Sequence, residues 1–197
     1  MAPSKQASGS PSETKVSDPE ARARQICLRL LTAAPRTRAQ LAQALRGAGV
    51  PGEAAEAVLG RFTDVGLIDD AAFARAWVES RHYSRGLSRR SLSAELRQHG
   101  VQAEEIREAV STLDPEQEVA TARRLVEQKM AGTRGQPPEV RIRRAAGTLA
   151  RKGYPPALVF RLIKEVLEQE GPGQAAGLEL DPDPYLDPDA DPDDAIG

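Results

Sequence analysis

Leu45-Arg46-Gly47-Ala48-Gly49-Val50, Leu96-Arg97-Gln98-His99-Gly100-Val101 and Leu149-Ala150-Arg151-Lys152-Gly153-Tyr154 are three versions of one phrase, and their spacing decides the fold. In each, a leucine is followed by a short polar run, a glycine and a bulky apolar residue. The glycines Gly49, Gly100 and Gly153 stand 51 and 53 residues apart. A period of that length marks stacked modules and not a single enzyme fold. Glycine suits the position just past a helix end, because it enters the left-handed region without steric cost. The register continues past the glycine. Ala55, Ile106 and Val159 hold one matching offset, Leu59, Val110 and Ile163 the next, and Phe62, Leu113 and Val166 a third. Those offsets fall on one side of a helix.

Working outward, the start and stop signals divide each module into three helices. Asp18-Pro19 supplies a cap and a first-turn proline for a helix reaching about Ala33. Thr37 and Gln40 have capping-box spacing and open a helix that ends at Gly49, while Pro51 starts a third that Gly66 ends. Asp69-Asp70 caps the next helix, which carries Phe73 and Trp77 four residues apart and breaks at Gly86. Ser88 opens a helix to Gly100, and another covers about 103–113. Asp114-Pro115 repeats the opening signal, residues 132–138 form a Gly/Pro connector, and helices of roughly 139–152 and 156–170 follow. The expected architecture is therefore all-α: an elongated array of three tandem three-helix repeats spanning 18–68, 69–113 and 114–170. Residues 1–17 are expected to be a disordered N-terminal segment, having almost nothing to bury, and 171–197 a disordered acidic Asp-Pro tail.

Composition narrows the function classes. Only 4% of the 197 residues are aromatic, which favours thin, Ala-rich helix contacts and modules that rely on their neighbours for stability. The single cysteine, Cys27, rules out an internal disulfide and reads as a buried thiol. No stretch has the apolar core of a signal peptide or the length to cross a bilayer, so a soluble cytoplasmic protein without membrane contact is expected. The formal charge of −2 hides a division: residues 20–170 carry 25 Lys and Arg against 19 Asp and Glu, whereas 171–197 carry eight acids and no base. A basic body points to nucleic acid or another polyanion, with the tail as an internal competitor.

The basic residues concentrate in and before the second helix of each module. Residues 36–48 hold three arginines and no acid; 81–100 hold Arg81, Arg85, Arg89, Arg90 and Arg97 against Glu95 alone; 141–153 hold Arg141, Arg143, Arg144, Arg151 and Lys152 with no acid. Arg90 and Arg97, like Arg144 and Arg151, lie seven residues apart and share a helical face. With modules in register, these residues predict an interrupted cationic stripe suited to a phosphate backbone or an acidic groove. Catalytic signals are missing. His82 and His99 have no second ligand at metal spacing, no Gly-Lys-Ser/Thr loop occurs, and Asp69-Asp70 reads as a cap. No catalytic residue, metal or cofactor is expected, and Phe73 and Trp77 read as core.

The run Gly66-Leu67-Ile68-Asp69-Asp70-Ala71-Ala72-Phe73-Ala74-Arg75-Ala76-Trp77-Val78, followed by Arg81 to Gly86 and by Leu92 through Gly100-Val101, resembles the signature of the RecX regulatory proteins. Pro35-Arg36-Thr37-Arg38-Ala39-Gln40-Leu41 is similar to that family as well, and the likeness covers about residues 20–170, most loosely in the third module. The resemblance implies a non-enzymatic modulator of the RecA recombinase. Such a protein binds along the groove of the RecA filament on single-stranded DNA and suppresses strand exchange, ATP hydrolysis and coprotease activity in DNA repair and the SOS response. A monomer with direct DNA contact is the corresponding expectation. The rival reading is a helix-turn-helix-like DNA-binding transcriptional regulator, against which stands the lack of an outward helix bearing base-reading side chains. A helical scaffold for an unrelated acidic protein is the third.

Overall fold

The structure, a computed structural model, describes residues 18–171; the disorder expected for 1–17 and for the tail falls outside the described residues. Among the described residues there are nine α-helices and no strand: α1 (Pro19–Ala33), α2 (Arg38–Gly47), α3 (Gly52–Asp64), α4 (Asp70–Arg85), α5 (Arg89–Gln98), α6 (Ala103–Ser111), α7 (Pro115–Ala131), α8 (Pro138–Arg151) and α9 (Pro156–Glu170). Their starts follow from local chemistry. Asp18, Asp69 and Asp114 each accept a hydrogen bond from a first-turn N–H, and Thr37 with Gln40 forms a reciprocal capping box.

The repeated phrase is a helix C-terminal motif. After α2, α5 and α8, the N–H of the apolar residue donates to the carbonyl of the phrase's leucine: Val50 to Leu45 (3.1 Å), Val101 to Leu96 (3.2 Å) and Tyr154 to Leu149 (3.1 Å). The intervening Gly49, Gly100 and Gly153 have φ of 70°, 76° and 81°. This six-to-one bond is the Schellman arrangement, and the flanking apolar pair, buried in all three repeats, closes it.

Helices pack extensively only within their own triplet, giving the three-helix repeats α1–α3, α4–α6 and α7–α9. Each encloses its own core. Leu41, Leu45, Val58 and Leu59 anchor the first, Leu92, Leu96 and Ile106 the second, and Ile142, Leu149, Leu162 and Ile163 the third. Cys27 is buried in the first core, where desolvation pushes its thiol pKa up. The three cores are separate. The contacts with neighbours on which the modules are expected to rely for stability are made mainly through polar groups and glycine.

Both joints use one geometry. The N-terminus of the second helix of a repeat docks on the glycine turn of the repeat that follows. At the first joint, Thr37 Oγ1 donates to the His99 carbonyl (2.6 Å), and the Arg38 N–H donates to Asp70 Oδ1 (2.9 Å). At the second, the Ser88 N–H donates to the Lys152 carbonyl (3.0 Å), and the Arg89 N–H donates to Glu118 Oε1 (2.8 Å). Thr37 and Ser88 lie twelve residues before their own turn glycines, so the two joints are related by the repeat itself. In each, a carboxylate from the next repeat satisfies a free helix N–H where the helix dipole favours negative charge. Burial raises the Asp70 pKa, an effect opposed by the Arg38 N–H and then by the Arg38 charge. The second joint is reinforced by the Tyr154 hydroxyl, which donates to the Gly86 carbonyl (3.0 Å), and by His82. His82 Nδ1 lies 2.9 Å from the Leu87 carbonyl, which can only accept, so Nδ1 donates to it, while Nε2 lies 3.0 Å from the Thr121 hydroxyl of the third repeat.

The two ends of the array close differently. In the first repeat the Ala48 carbonyl, matching those of His99 and Lys152, accepts from Arg22 Nη2 of the same repeat (2.8 Å). In the third, α8 begins at Pro138, three residues before Arg141, the position matching Thr37 and Ser88. Arg141 is 4% exposed, and its Nη2 donates to both Glu170 oxygens (2.9 and 2.6 Å) and to the Met130 carbonyl (3.2 Å). Its place in a cationic stripe is thus corrected: the charge is neutralised by an acid 29 residues away on α9, which a scan of α8 alone could not see.

Two tests follow from this geometry. A Cβ on Gly100 would fall well inside contact distance of Ala39 Cβ, and one on Gly153 would lie 2.6 Å from Ser88 Oγ, whereas one on Gly49 meets nothing. Gly49→Ala should cost about 1–2 kcal/mol of left-handed strain, and Gly100→Ala roughly 1–3 kcal/mol more for the clash, read from urea midpoints. Glu170→Ala, which leaves the Arg141 guanidinium buried without its carboxylate, should cost about 3 kcal/mol. Arg141→Met combined with Glu170→Leu should recover most of that stability.

Candidate functional site

The expected cationic residues divide into three groups by what they touch. Arg141, at the start of α8, is taken up by Glu170 as described. Arg89, at the start of α5, is half-buried: its Nε lies 3.4 Å from Glu118, and its guanidinium donates to the Leu113 carbonyl. It ties α5 to the junction of α6 and α7, so its expected role as a free contact is corrected. Arg81 lies over the Trp77 ring, 4.2 Å from the centroid. These three are committed within the fold.

The structure gathers the third group. Arg85 ends α4, Arg151 ends α8, and Lys152 follows in the turn before Gly153. The second joint brings them to one notch of about 590 Å³, lined also by Tyr83, Arg124, Gln128 and Thr148. No Asp or Glu lines it. The Lys152 Nζ donates to the Arg85 carbonyl, and the Ser88 N–H holds the Lys152 carbonyl, so the docking of the repeats builds the notch. The Lys152 pKa is lowered, first by burial and then by the charges of Arg151 and Arg85. Cations crowded in this way are relieved by an anion.

Arg90 and Arg97 on α5 and Arg143 on α8 are exposed, and Arg144 is half-buried; none forms an ion pair among the described residues. They add positive charge to the repeats without joining the notch. Two members of the notch escaped the sequence reading. Arg124 lies on α7, where Glu116, Glu118 and Glu127 balance the bases, so the charge of the segment does not single it out. The adjacent Arg123 pairs with Glu165, leaving Arg124 exposed, a distinction no local spacing reveals. Tyr83 is 88% exposed on the last turn of α4. Its signal was faint: one aromatic, rotated off the stripe formed by Ala74, Val78 and His82.

The first joint carries different chemistry. Its cavity, about 400 Å³, is lined by Asp69, Asp70 and Glu105 as well as Arg38, and is unsuited to a polyanion. Asp69 accepts from the Ala72 N–H (2.7 Å), as a cap should. Phe73 and Trp77 stack at 5.6 Å and pack edge-on against His99, whose Nδ1 lies 2.7 Å from Gln40 Nε2 of the preceding repeat. The Trp77 indole N–H donates to Glu95 (2.7 Å). These aromatics are half-buried and pack against the second repeat's core. No group of three or more His, Cys, Asp or Glu that could hold a metal ion occurs among the described residues, and none of their helices is long and apolar enough to cross a membrane.

Comparison with known proteins agrees with this architecture repeat by repeat. Family models for the first, second and third three-helix domains of RecX match residues 23–62, 69–110 and 116–163. The regulatory protein RecX of Thermobifida fusca is 62% identical over 151 residues, covering 77% of this chain and 82% of the relative. That of Streptomyces coelicolor is 59% identical over 154 residues, covering 78% and 82%. A crystal structure of regulatory protein RecX superposes with a TM-score of 0.66 at 26% identity, over 76% of this chain and 73% of the other. RecX from Lactobacillus salivarius superposes at 0.69 with 16% identity, over 77% and 98%. With three consecutive family domains matched and a fold built on the same repeated triplet, the chain belongs to the RecX family of regulatory proteins.

Proposed function

We propose that this chain binds the filament formed by RecA on single-stranded DNA and restrains its recombinase, ATPase and coprotease activities, acting in DNA repair and the SOS response. Family membership supports a regulatory role, and the family's name points to RecA as the partner. The observation that carries the reading to particular residues is the notch at the second joint: Arg85, Arg124, Arg151 and Lys152 converge there with no acid in the lining. An array of repeats with an acid-free cation cluster at one joint and further exposed arginines on its helices suits an extended anionic groove better than a compact ligand. The exposed Arg90, Arg97 and Arg143 extend the same positive character. On this reading the protein is a cytoplasmic monomer without catalytic chemistry, and it acts by having unequal affinity for the filament's states.

The acidic tail enters the reading as a competitor. Its eight acids are attracted to the same cations the filament uses, over distances that salt controls.

RecA ATPase on single-stranded DNA tests the proposal. Replacing Arg85, Arg124, Arg151 and Lys152 together by Ala should raise the concentration for half-inhibition at least tenfold (about 1.4 kcal/mol). Arg107→Ala, which removes a surface arginine paired to Glu104, should leave it unchanged. Full inhibition by the folded quadruple variant would exclude the notch as the contact. Truncation after Glu170 should tighten binding at low salt, with the gain shrinking as salt rises; equal affinity at low salt would remove the tail from the account.

A further inference from the structure

We infer that the notch between the second and third repeats is a subsite for one strand of nucleic acid, an unpaired base lying on the Tyr83 ring while its phosphates sit among Arg85, Arg124, Arg151 and Lys152. The inference rests on the reading of this notch as the polyanion contact and deepens it, by naming what touches it: the nucleic-acid strand itself, and not an acidic protein surface.

The pairing of groups selects the ligand. Arg85, Arg124 and Arg151 point their charge at no carboxylate among the described residues, and the Lys152 ammonium is held at the same wall by the Arg85 carbonyl. An acidic peptide would use these four cations but would have nothing for Tyr83. That ring is 88% exposed, more than any other large apolar or aromatic side chain among the described residues. An aromatic face beside a row of cations is the combination by which proteins hold a single strand, the ring taking a base and the cations the backbone. Duplex DNA does not satisfy it, because its bases already stack on each other and present only edges. Gln128 and Thr148, on the same lining, add hydrogen-bonding groups for the base or sugar.

The subsite is also preorganised. Lys152 is positioned by the Ser88 N–H on its carbonyl, and Arg85 and Tyr83 belong to the last turn of α4, which is fixed to the third repeat by Tyr154 donating to Gly86. The geometry therefore exists only while repeats two and three are docked. The cost of gathering four cations is met by the fold before any ligand arrives. Arg85, Arg151 and Lys152 crowd one wall with no carboxylate between them, and a phosphate placed there relieves their mutual repulsion.

Direct binding of the full chain to labelled oligo(dT) of 20 nucleotides, measured by fluorescence anisotropy without RecA, tests the inference. Tyr83→Ala should weaken single-strand binding about fivefold or more, and Tyr83→Phe should restore it, since stacking needs the ring and not the hydroxyl. Arg124→Ala should weaken binding and lower the salt slope by about 0.7, the share of one backbone phosphate on a single strand. On a 20-base-pair duplex, Tyr83→Ala should change nothing. Oligo(rU) of the same length distinguishes the source of the strand: equal affinity assigns the site to either nucleic acid, and a preference names one. Unchanged oligo(dT) binding by Tyr83→Ala, or an equal loss on duplex, would overturn the inference. So would a wild-type chain that binds a peptide of residues 171–197 through Arg124 but no oligonucleotide. In the last case RecA ATPase inhibition lost in the quadruple variant would leave the proposed function standing on a protein contact. Oligonucleotide binding without any effect on RecA would do the reverse.

Discussion

The interaction on which the molecule depends is the docking of a helix N-terminus onto the glycine turn of the following repeat. A helix start has N–H groups without partners, and a left-handed turn leaves a carbonyl facing outward. Each supplies what the other lacks, and a carboxylate from the next repeat satisfies a further N–H. The exchange is directional, so it orders the repeats in one line. Glycine is needed twice over at Gly100 and Gly153, once for the backbone angle and once because the neighbour leaves no room for a side chain. At Gly49 only the first requirement holds.

Polar joints between separately cored repeats explain where the charges go. Each three-helix unit buries its own leucines in a separate core. The joints are then free to carry charge, and they do so differently. The first collects Asp69, Asp70 and Glu105 beside Arg38, and the second collects four cations. One repeated geometry thus yields two surfaces of opposite character, which is how an array built by repetition acquires a site at one place along its length. The outer repeats follow the same rule: Arg22 satisfies the Ala48 carbonyl within the first repeat, and α8 grows by a turn with its Arg141 turned inward on Glu170.

Where local chemistry determines conformation, the amino-acid sequence was readable nearly to the residue. Asp18, Thr37, Asp69, Ser88 and Asp114 cap the helices they were expected to cap, because a cap is a bond across two or three residues. The turn glycines and the triplication were legible for the same reason. The site was legible only in outline. Arg85, Arg151 and Lys152 were identified by the absence of nearby acids, and the same criterion misplaced Arg89 and Arg141, whose partners Glu118 and Glu170 lie 29 residues further along the chain. It also passed over Arg124, which stands in a segment whose charges balance, and Tyr83, which carries no charge for the criterion to register.

The chain by itself determined that there are three helical triplets, where each helix begins and ends, and that their body is basic, since all of these depend on neighbours within a turn or two. Only the tertiary structure decided which arginines remain available. Ion pairing is settled by proximity in space, and the joint between repeats brings Arg85, Arg124, Arg151 and Lys152 from three helices and a turn to one wall while burying others against acids from distant helices.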